Sequence, residues 1–466
     1  MNYTRMPTFS LNMRAMLLLA GSFWICMHSH AQDIAGRWTG KLNVQGTSLT
    51  IVFNIARKDA GYESTMDSPD QRAQNIPVSN TTFESGILKL SIPAAQIVYS
   101  GTLKNDSLTG TFSQGAFQAI LNLVRSAGTV AQARPQEPKK PYPYYSEDVT
   151  FPSADGVVLS GTLTLPDPNG KQPVVILISG SGPQNRDSEI FGHKTFLVLA
   201  DYLTRQGIGV LRYDDRGVGK STGSFQTATT EDFATDAASA VDFLKTKSCV
   251  RHNGIGLIGH SEGGIIAPMV ASRSKDVQYI VLLAGSGLPG AELMLLQKKR
   301  IEENMGIDAA AVAASQEIFR NIYEKITAPD TTGIKSTVRQ ALHEAFGTAL
   351  PDRQLKGLYN QLTSPWMISF LRHNPAPFLK KVTVPVLVLN GDNDLQVPAS
   401  ENVTAIENAL RSGRNNDVTV KRYASLNHLF QESRTGALTE YEKIEQTFSP
   451  EALNDIAGWI KAKNRK

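Results

Sequence analysis

The stretch Gly259-His260-Ser261-Glu262-Gly263 carries the residue types of a reactive serine held at a sharp turn. A serine hydroxyl is a weak nucleophile near neutral pH. It needs a base to take its proton and a carboxylate to hold that base in the right tautomer and stabilise its charged form. Such a turn strains the serine backbone, so the residues two before and two after must be small, as Gly259 and Gly263 are. The apolar run Ile255-Gly256-Leu257-Ile258 reads as a buried strand, and Gly264 to Val270 reads as a helix start. Strand, sharp turn and helix form the context that a G-x-S-x-G elbow requires.

Partners for Ser261 follow later in the chain. Gly391-Asp392-Asn393-Asp394 comes directly after the apolar run 385–390 and puts two carboxylates in one loop. In open α/β folds that end of a strand is where active sites sit. Asp394, followed by Leu395-Gln396-Val397-Pro398, is the first choice of acid and Asp392 the second, with a solvated turn as the plain alternative. His428, in Ser425-Leu426-Asn427-His428-Leu429-Phe430, is the only one of the 8 histidines after Asp394. In the order serine, acid, histidine it is the sole candidate base. An oxyanion needs two aligned donors, each worth ~3 kcal/mol. The backbone N–H of Glu262, next after Ser261, is one candidate. The backbone of Ser181, in Gly180-Ser181-Gly182-Pro183, is the other.

Other glycine-rich loops compete for attention. The loop at 180–183 lacks the lysine and hydroxyl that end a phosphate-binding P-loop. Asp214-Asp215-Arg216-Gly217-Val218-Gly219-Lys220-Ser221 fits neither nucleotide fingerprint and reads as a structural loop whose Asp and Arg fix neighbouring turns. Gly285-Ser286-Gly287-Leu288-Pro289-Gly290 matches G-x-G-x-x-G, but it opens a helical stretch late in the sheet and reads as a hinge-like connection. No His/Cys/Asp/Glu spacing predicts a catalytic metal, and no cofactor is expected.

The elements that must position these residues begin at Glu147. Residues 149–151 and 158–165 flank Asp155-Gly156 as a hairpin. Pro173 to Ser179 is a near-continuous apolar run, as for a strand buried on both faces. Helices and apolar strands then alternate: an amphipathic helix over 196–205, a strand over 208–213, a helix over 231–245 capped by Thr230, the elbow strand, and a strand over 279–284. This alternation predicts a mostly parallel sheet with helices on both faces. Residues 290 to about 380 read only as helices, a cap insertion in which Trp366, Met367, Phe370 and Leu371 line a pocket or, in the favoured reading, simply pack. Strands at 385–390 and 418–423 and a closing helix at 453–462 complete the unit.

Residues 33–126 differ, with short alternating strands at 38–44, 49–55, 87–92, 97–103 and 107–112 and a turn at Asn105-Asp106. They predict a small antiparallel β domain, closed or nearly so. Gly36-Arg37-Trp38 resembles the G-x-W of lipocalin-like barrels. Residues 127–146, with Pro135, Pro138, Pro141 and Pro143, predict an extended linker. Residues 1–31 have a basic start, an apolar run from Ala15 to Met27 and Ser29-His30-Ala31, the pattern of a signal peptide. The expected chain is therefore exported, periplasmic or secreted, without a membrane span once the signal is removed. Its two cysteines, Cys26 and Cys249, leave no internal disulfide after cleavage. Lys+Arg 47 against Asp+Glu 43 leaves +4, and no basic stripe argues for nucleic acid.

Taken together, the motifs at 180–183, 213–221, 259–264, 391–394 and 427–428 resemble those of the α/β-hydrolase superfamily, in its bacterial esterase and serine-aminopeptidase-like branch. The resemblance spans roughly 147–466. It implies Ser261 as nucleophile, Asp394 as acid and His428 as base. Many relatives carry His-Gly before the oxyanion residue, whereas this chain has Ser179-Gly180. The expected activity is hydrolysis of carboxylic esters through an acyl-enzyme, with a small ester or short peptide as substrate. A serine peptidase of the aminopeptidase or prolyl type is the second reading, for which Glu302 and Glu303 are candidate amine ligands, though a solvated helix face explains them more simply. A non-catalytic binding protein on the same scaffold is the third. The oligomeric state and natural substrate are left open.

Overall fold

The computed structural model describes residues 33–465, apart from 45–46, 59–60, 69–72, 116, 127–133, 331–332, 348–349 and 351. The expected signal peptide lies outside the described residues. The chain divides into two units, Met1–Ala131 and Gln132–Lys466.

Among the described residues of the first unit, ten antiparallel strands form one barrel-like sheet. Its order runs Ala73–Val78, Gly61–Ser68, Thr47–Lys58, Gly36–Val44, Leu123–Ser126, Ser107–Gln114, Ile97–Lys104, Ile87–Ile92, Asn80–Glu84, with Phe117–Ile120 added on Ser107–Gln114. The last strand of this ladder, Asn80–Glu84, reaches the second, Gly61–Ser68, where Thr81 Oγ1 donates to Ser64 Oγ at 3.0 Å. Alternation puts Ile97, Tyr99 and Leu103 inside and leaves Val98 exposed. Trp38, Phe53, Tyr99 and Leu88 fill the interior, and the Arg125 guanidinium covers the Trp38 ring at 4.4 Å from its centre. The Tyr99 ring needs Gly101 and Gly110, since a Cβ on either falls within 2.8 Å of the phenol oxygen. Strands such as Gly61–Ser68 escape the sequence reading because they bury polar Ser64, Asp67 and Ser68 and so lack an apolar alternation.

The second unit is an α/β-hydrolase fold. Its eight strands lie in the order Tyr145–Pro152, Val158–Leu165, Gly209–Tyr213, Gln172–Ile178, Val250–His260, Tyr279–Leu283, Val386–Gly391, Val418–Tyr423. The first two pair antiparallel to each other, Val158–Leu165 runs antiparallel to Gly209–Tyr213, and all later pairs are parallel. The period of two sorts each inner strand between two cores. Val174, Ile176, Ile280, Leu282, Val386 and Val388 face the helices Thr230–Lys245, Gly263–Ala271 and Ala399–Ser412. Val175, Leu177, Val281, Leu283, Leu387 and Leu389 face Thr195–Arg205 and Pro450–Lys463. Burial on both faces is why these strands read as unbroken apolar runs.

Helices Gly290–Asn304, Ala309–Thr327, Ile334–Phe346, Asp352–Leu362 and Pro365–Arg372 form the cap. The cap has its own core around Ile322, Ile326, Val338, Leu342, Met367 and Leu371, so Met367 and Leu371 are packing residues. The expected linker needs revision where it is described. Residues 134–144 are held on the second unit: Arg134 donates to the carbonyls of Gly192, Phe191, Glu442 and Ile444, Gln136 donates to Phe448 O at 2.7 Å, and Tyr144 Oη donates to Asp201 at 2.9 Å. A proline-rich segment offers few backbone donors, but its side chains satisfy carbonyls left open by irregular loops. The cap of helix Thr230–Lys245 is also revised, by one residue. Thr229 accepts from Asp232 N and Asp232 accepts from Thr229 N, a capping box that leaves Thr230 free for another partner.

Candidate active site

The elbow is built by steric exclusion. Ser261 has φ 55, a left-handed backbone that costs a serine about 1–3 kcal/mol. Its N–H donates to Leu283 O at 2.9 Å, tying it to the neighbouring strand. A Cβ at Gly259 falls 1.9 Å from Gly263 O, and one at Gly263 falls 2.2 Å from Ile178 O. The strand therefore turns into helix Gly263–Ala271 with no room for a side chain on either flank. Ser261 stays half-buried at the tip. A Cβ at Gly180 comes 3.0 Å from that of Ser261, so the Gly180-Ser181 loop lies directly against it.

His428 sits in a turn after strand Val418–Tyr423. Asn427 Oδ1 accepts from Leu429 N and Gln431 N, both at 3.0 Å, and fixes that turn. His428 Nδ1 lies 2.7 Å from Asp394 Oδ2, with both side chains buried. The other oxygen, Asp394 Oδ1, accepts from Gln396 N and Val397 N at 2.8 Å. Asp392, the second choice, points elsewhere and pairs with Arg422 at 2.7 Å. His260, beside Ser261, lies 4.8 Å from His428 between ring centres, with its Nε2 2.8 Å from the His428 carbonyl. Burial pushes the His260 pKa down to about 3, so its ring is neutral and donates that Nε2–H.

Glu262 has a side-chain role that motif reading misses. Its buried carboxylate accepts from Thr230 Oγ1 at 2.7 Å and from Trp366 Nε1 at 2.9 and 3.0 Å. Burial raises its pKa, against the pull of Thr230, Trp366 and the Ser181 side chain. Asp215 lies nearby, accepting from Ser179 Oγ at 2.6 Å and Gln184 N at 2.9 Å. The two carboxyl groups line, with Ser179 and Gly180, a cavity of about 10 Å³, room for roughly one water. Long-range hydrogen bonds from two distant segments, at Thr230 and Trp366, converge on Glu262, and no local spacing encodes them.

The competing loops are occupied by structure. Asp214 pairs with Arg186 at 2.8 Å, and Arg216 pairs with Asp236 at 2.7 Å. In the 285–290 connection, Ser286 Oγ and Gly287 N both donate to Asn402 Oδ1, and a Cβ at Gly290 meets Phe370 O at 1.8 Å. That connection is therefore tightly packed at the base of the cap. Glu302 pairs with Lys298 at 2.8 Å, and Glu303 faces Lys299 at 3.8 Å within their helix. Among the described residues no group of three or more His, Cys, Asp and Glu could hold a metal ion. No helix among them is long and apolar enough to cross a membrane.

Residues 193–342 match the family model described as serine aminopeptidase, S33 (Hydrolase_4). The chain is 27% identical over 374 residues to esterase EstD of Thermotoga maritima, covering 79% of this chain and 81% of that protein. That share exceeds the second unit alone, so the likeness reaches into the first. Among solved structures it is similar to the Pyrococcus furiosus esterase Pf2001, at 18% identity and TM-score 0.43, covering 68% of this chain and 91% of that one. It is also similar to Est1E of Butyrivibrio proteoclasticus with bound ferulic acid, at 20% identity and TM-score 0.41, covering 67% and 99%.

Proposed function

We propose that this esterase-like α/β hydrolase cleaves carboxylic esters through an acyl-enzyme on Ser261, with His428 as base and Asp394 as the acid that orients it. The observation that carries the reading is the buried His428–Asp394 contact at 2.7 Å, beyond the carboxyl ends of strands in the same mostly parallel sheet whose strand Val250–His260 leads into a left-handed Ser261. In the first step Ser261 Oγ attacks the ester carbonyl carbon and its proton passes to His428 Nε2. The tetrahedral oxyanion is met by the Glu262 N–H and the Ser181 N–H. Collapse breaks the ester C–O bond, and His428 returns the proton to the departing alcohol. Water, deprotonated by His428, then releases the acid and restores Ser261. Asp394 accepts from His428 Nδ1–H throughout, and its remaining oxygen is held by two backbone donors, so the ring cannot turn away.

Small esters of short or medium acyl length fit a site under a helical cap, and EstD is itself an esterase by name. A peptidase needs an acidic group for the substrate amine, and the two cap glutamates weighed for that task already face lysines on their own helix. The test is a series of p-nitrophenyl acyl esters beside aminoacyl and Xaa-Pro arylamides. Ser261→Ala should abolish ester turnover. Asp394→Asn should lower kcat on the order of 10³–10⁴-fold, while Asp392→Asn stays within about threefold. Arylamide turnover dominating would move the chain to the peptidase class. Turnover surviving in Ser261→Ala would remove the acyl-enzyme.

A further inference from the structure

Glu262 poses a physical problem. A buried carboxylate is costly even after relaxation, and this one lies beside the place where the proposed reaction develops a negative charge. An apolar side chain would fill the same space without that cost. What the carboxylate does that an apolar chain cannot is accept hydrogen bonds from several directions.

Its donors come from separate segments. Thr230 Oγ1 is on the first turn of helix Thr230–Lys245. Trp366 Nε1 reaches both oxygens from the cap helix Pro365–Arg372. The loop after strand Gln172–Ile178 lies against the same residue: Ser179 and Gly180 line one small cavity with Glu262, a Cβ at Gly180 comes 3.0 Å from that of Ser261, and the neighbouring Ser181 side chain favours the charged form of Glu262. Glu262 and Ser181 are also the residues whose backbone N–H groups form the oxyanion pair in the reading above. The Trp366 ring is itself fixed, stacked on Phe370 at 5.1 Å between ring centres. Its helix is capped by Ser364 Oγ, which accepts from Met367 N at 3.2 Å. The capping box at Thr229 and Asp232 frees Thr230 for this contact. The contacts from Thr230 and Trp366 are directional hydrogen bonds.

We propose that the Glu262 side chain is the positioning residue of the oxyanion hole: it locks the Ser181 loop, the nucleophile elbow and cap helix Pro365–Arg372 into one register, so that the two donors are aligned when Trp366 is seated. The inference rests on the ester-hydrolase reading and adds to it a link from the cap to the reacting atoms. It follows that a change in the cap alone alters the rate of chemistry. Trp366→Phe keeps a stacked ring and removes only the N–H.

The experiment measures kcat and KM on p-nitrophenyl butyrate, and the rate at which a fluorophosphonate labels Ser261, for wild type, Trp366→Phe, Glu262→Gln, Glu262→Leu, the Trp366→Phe/Glu262→Gln double variant and Ser261→Ala. Melting temperatures establish that each is folded. Trp366→Phe should lower kcat about tenfold or more with KM nearly unchanged, and slow labelling by the same factor, because misaligned donors affect the tetrahedral state and not substrate binding. Glu262→Gln, which still accepts from the indole, should lose less than Glu262→Leu. The double variant should be little worse than the weaker single, since both break one unit. A raised KM with unchanged kcat, or factors that multiply in the double variant, would overturn the positioning role. Wild-type labelling no faster than that of Ser261→Ala would instead overturn the hydrolase reading, and the positioning role with it.

Discussion

Burial acts on two titratable groups near the elbow with opposite consequences. The Asp215 carboxyl is pushed up to about 7, chiefly by burial, with Glu262 and Asp236 adding to it and Ser179 and the Gln184 N–H opposing. Between about pH 4 and 7 the folded chain keeps a proton that the unfolded chain has released. This group's contribution to stability is full below that window and is lost as pH rises through it. His260 is pushed down to about 3, again chiefly by burial. Here the unfolded chain takes up the proton first, so stability is lost as pH falls from about 6.5 towards 3. Urea midpoints against pH separate the two. Asp215→Asn should gain on the wild type as pH rises from 4 to 7, and His260→Gln should gain as pH falls from 6.5 to 4. The reverse ordering would mean that neither burial governs the titration.

At the scale of elements, the elbow is where sequence and backbone are most tightly bound together. Gly263 accepts no Cβ because Ile178 O stands 2.2 Å from its position, and Ile178 ends the strand that leads into the Ser181 loop. Gly263→Ala must therefore displace strand, loop and helix together. A loss of about 3 kcal/mol is expected, the upper end for overpacking, together with a larger fall in kcat than in folded fraction. Gly357→Ala, in the cap helix Asp352–Leu362 where nothing lies within 4 Å, should be neutral or stabilising by a few tenths of a kcal/mol. Equal effects of the two substitutions on urea midpoint would refute the steric account.

At the scale of the molecule, every residue of the proposed site lies in Gln132–Lys466, which has two cores of its own on either side of the sheet. A chain starting at Gln132 keeps Arg134 and Gln136, the side chains that pin the segment before the first strand to the 191–192 and 442–448 loops. It should fold cooperatively and retain ester turnover within about tenfold of the full chain. Shortening it to Ser146 removes those anchors and should lower the melting temperature by several degrees, since a loss of 1 kcal/mol alone shifts a unit of this size by about 2 °C. Loss of turnover in the longer piece, with folding intact, would give the β-rich unit a part in the reaction.

Much of this was legible along the chain. The unbroken apolar runs, the helix-only stretch and the turn residues depend on near neighbours, so they mark the parallel sheet, the cap and the elbow wherever they occur. The order of Ser261, Asp394 and His428 is likewise a linear property. Polar strands such as Gly61–Ser68 were hidden because their pairing, and not their own pattern, makes them strands. Which of two carboxylates in Gly391-Asp392-Asn393-Asp394 meets His428 was decided by the turn that sends Asp392 to Arg422 and Asp394 inward. The same holds for the convergence of Thr230 and Trp366 on Glu262. Those partners lie 32 and 104 residues away along the chain. Local spacing says what a residue can do, and only the packing of distant segments selects which residue receives the donors.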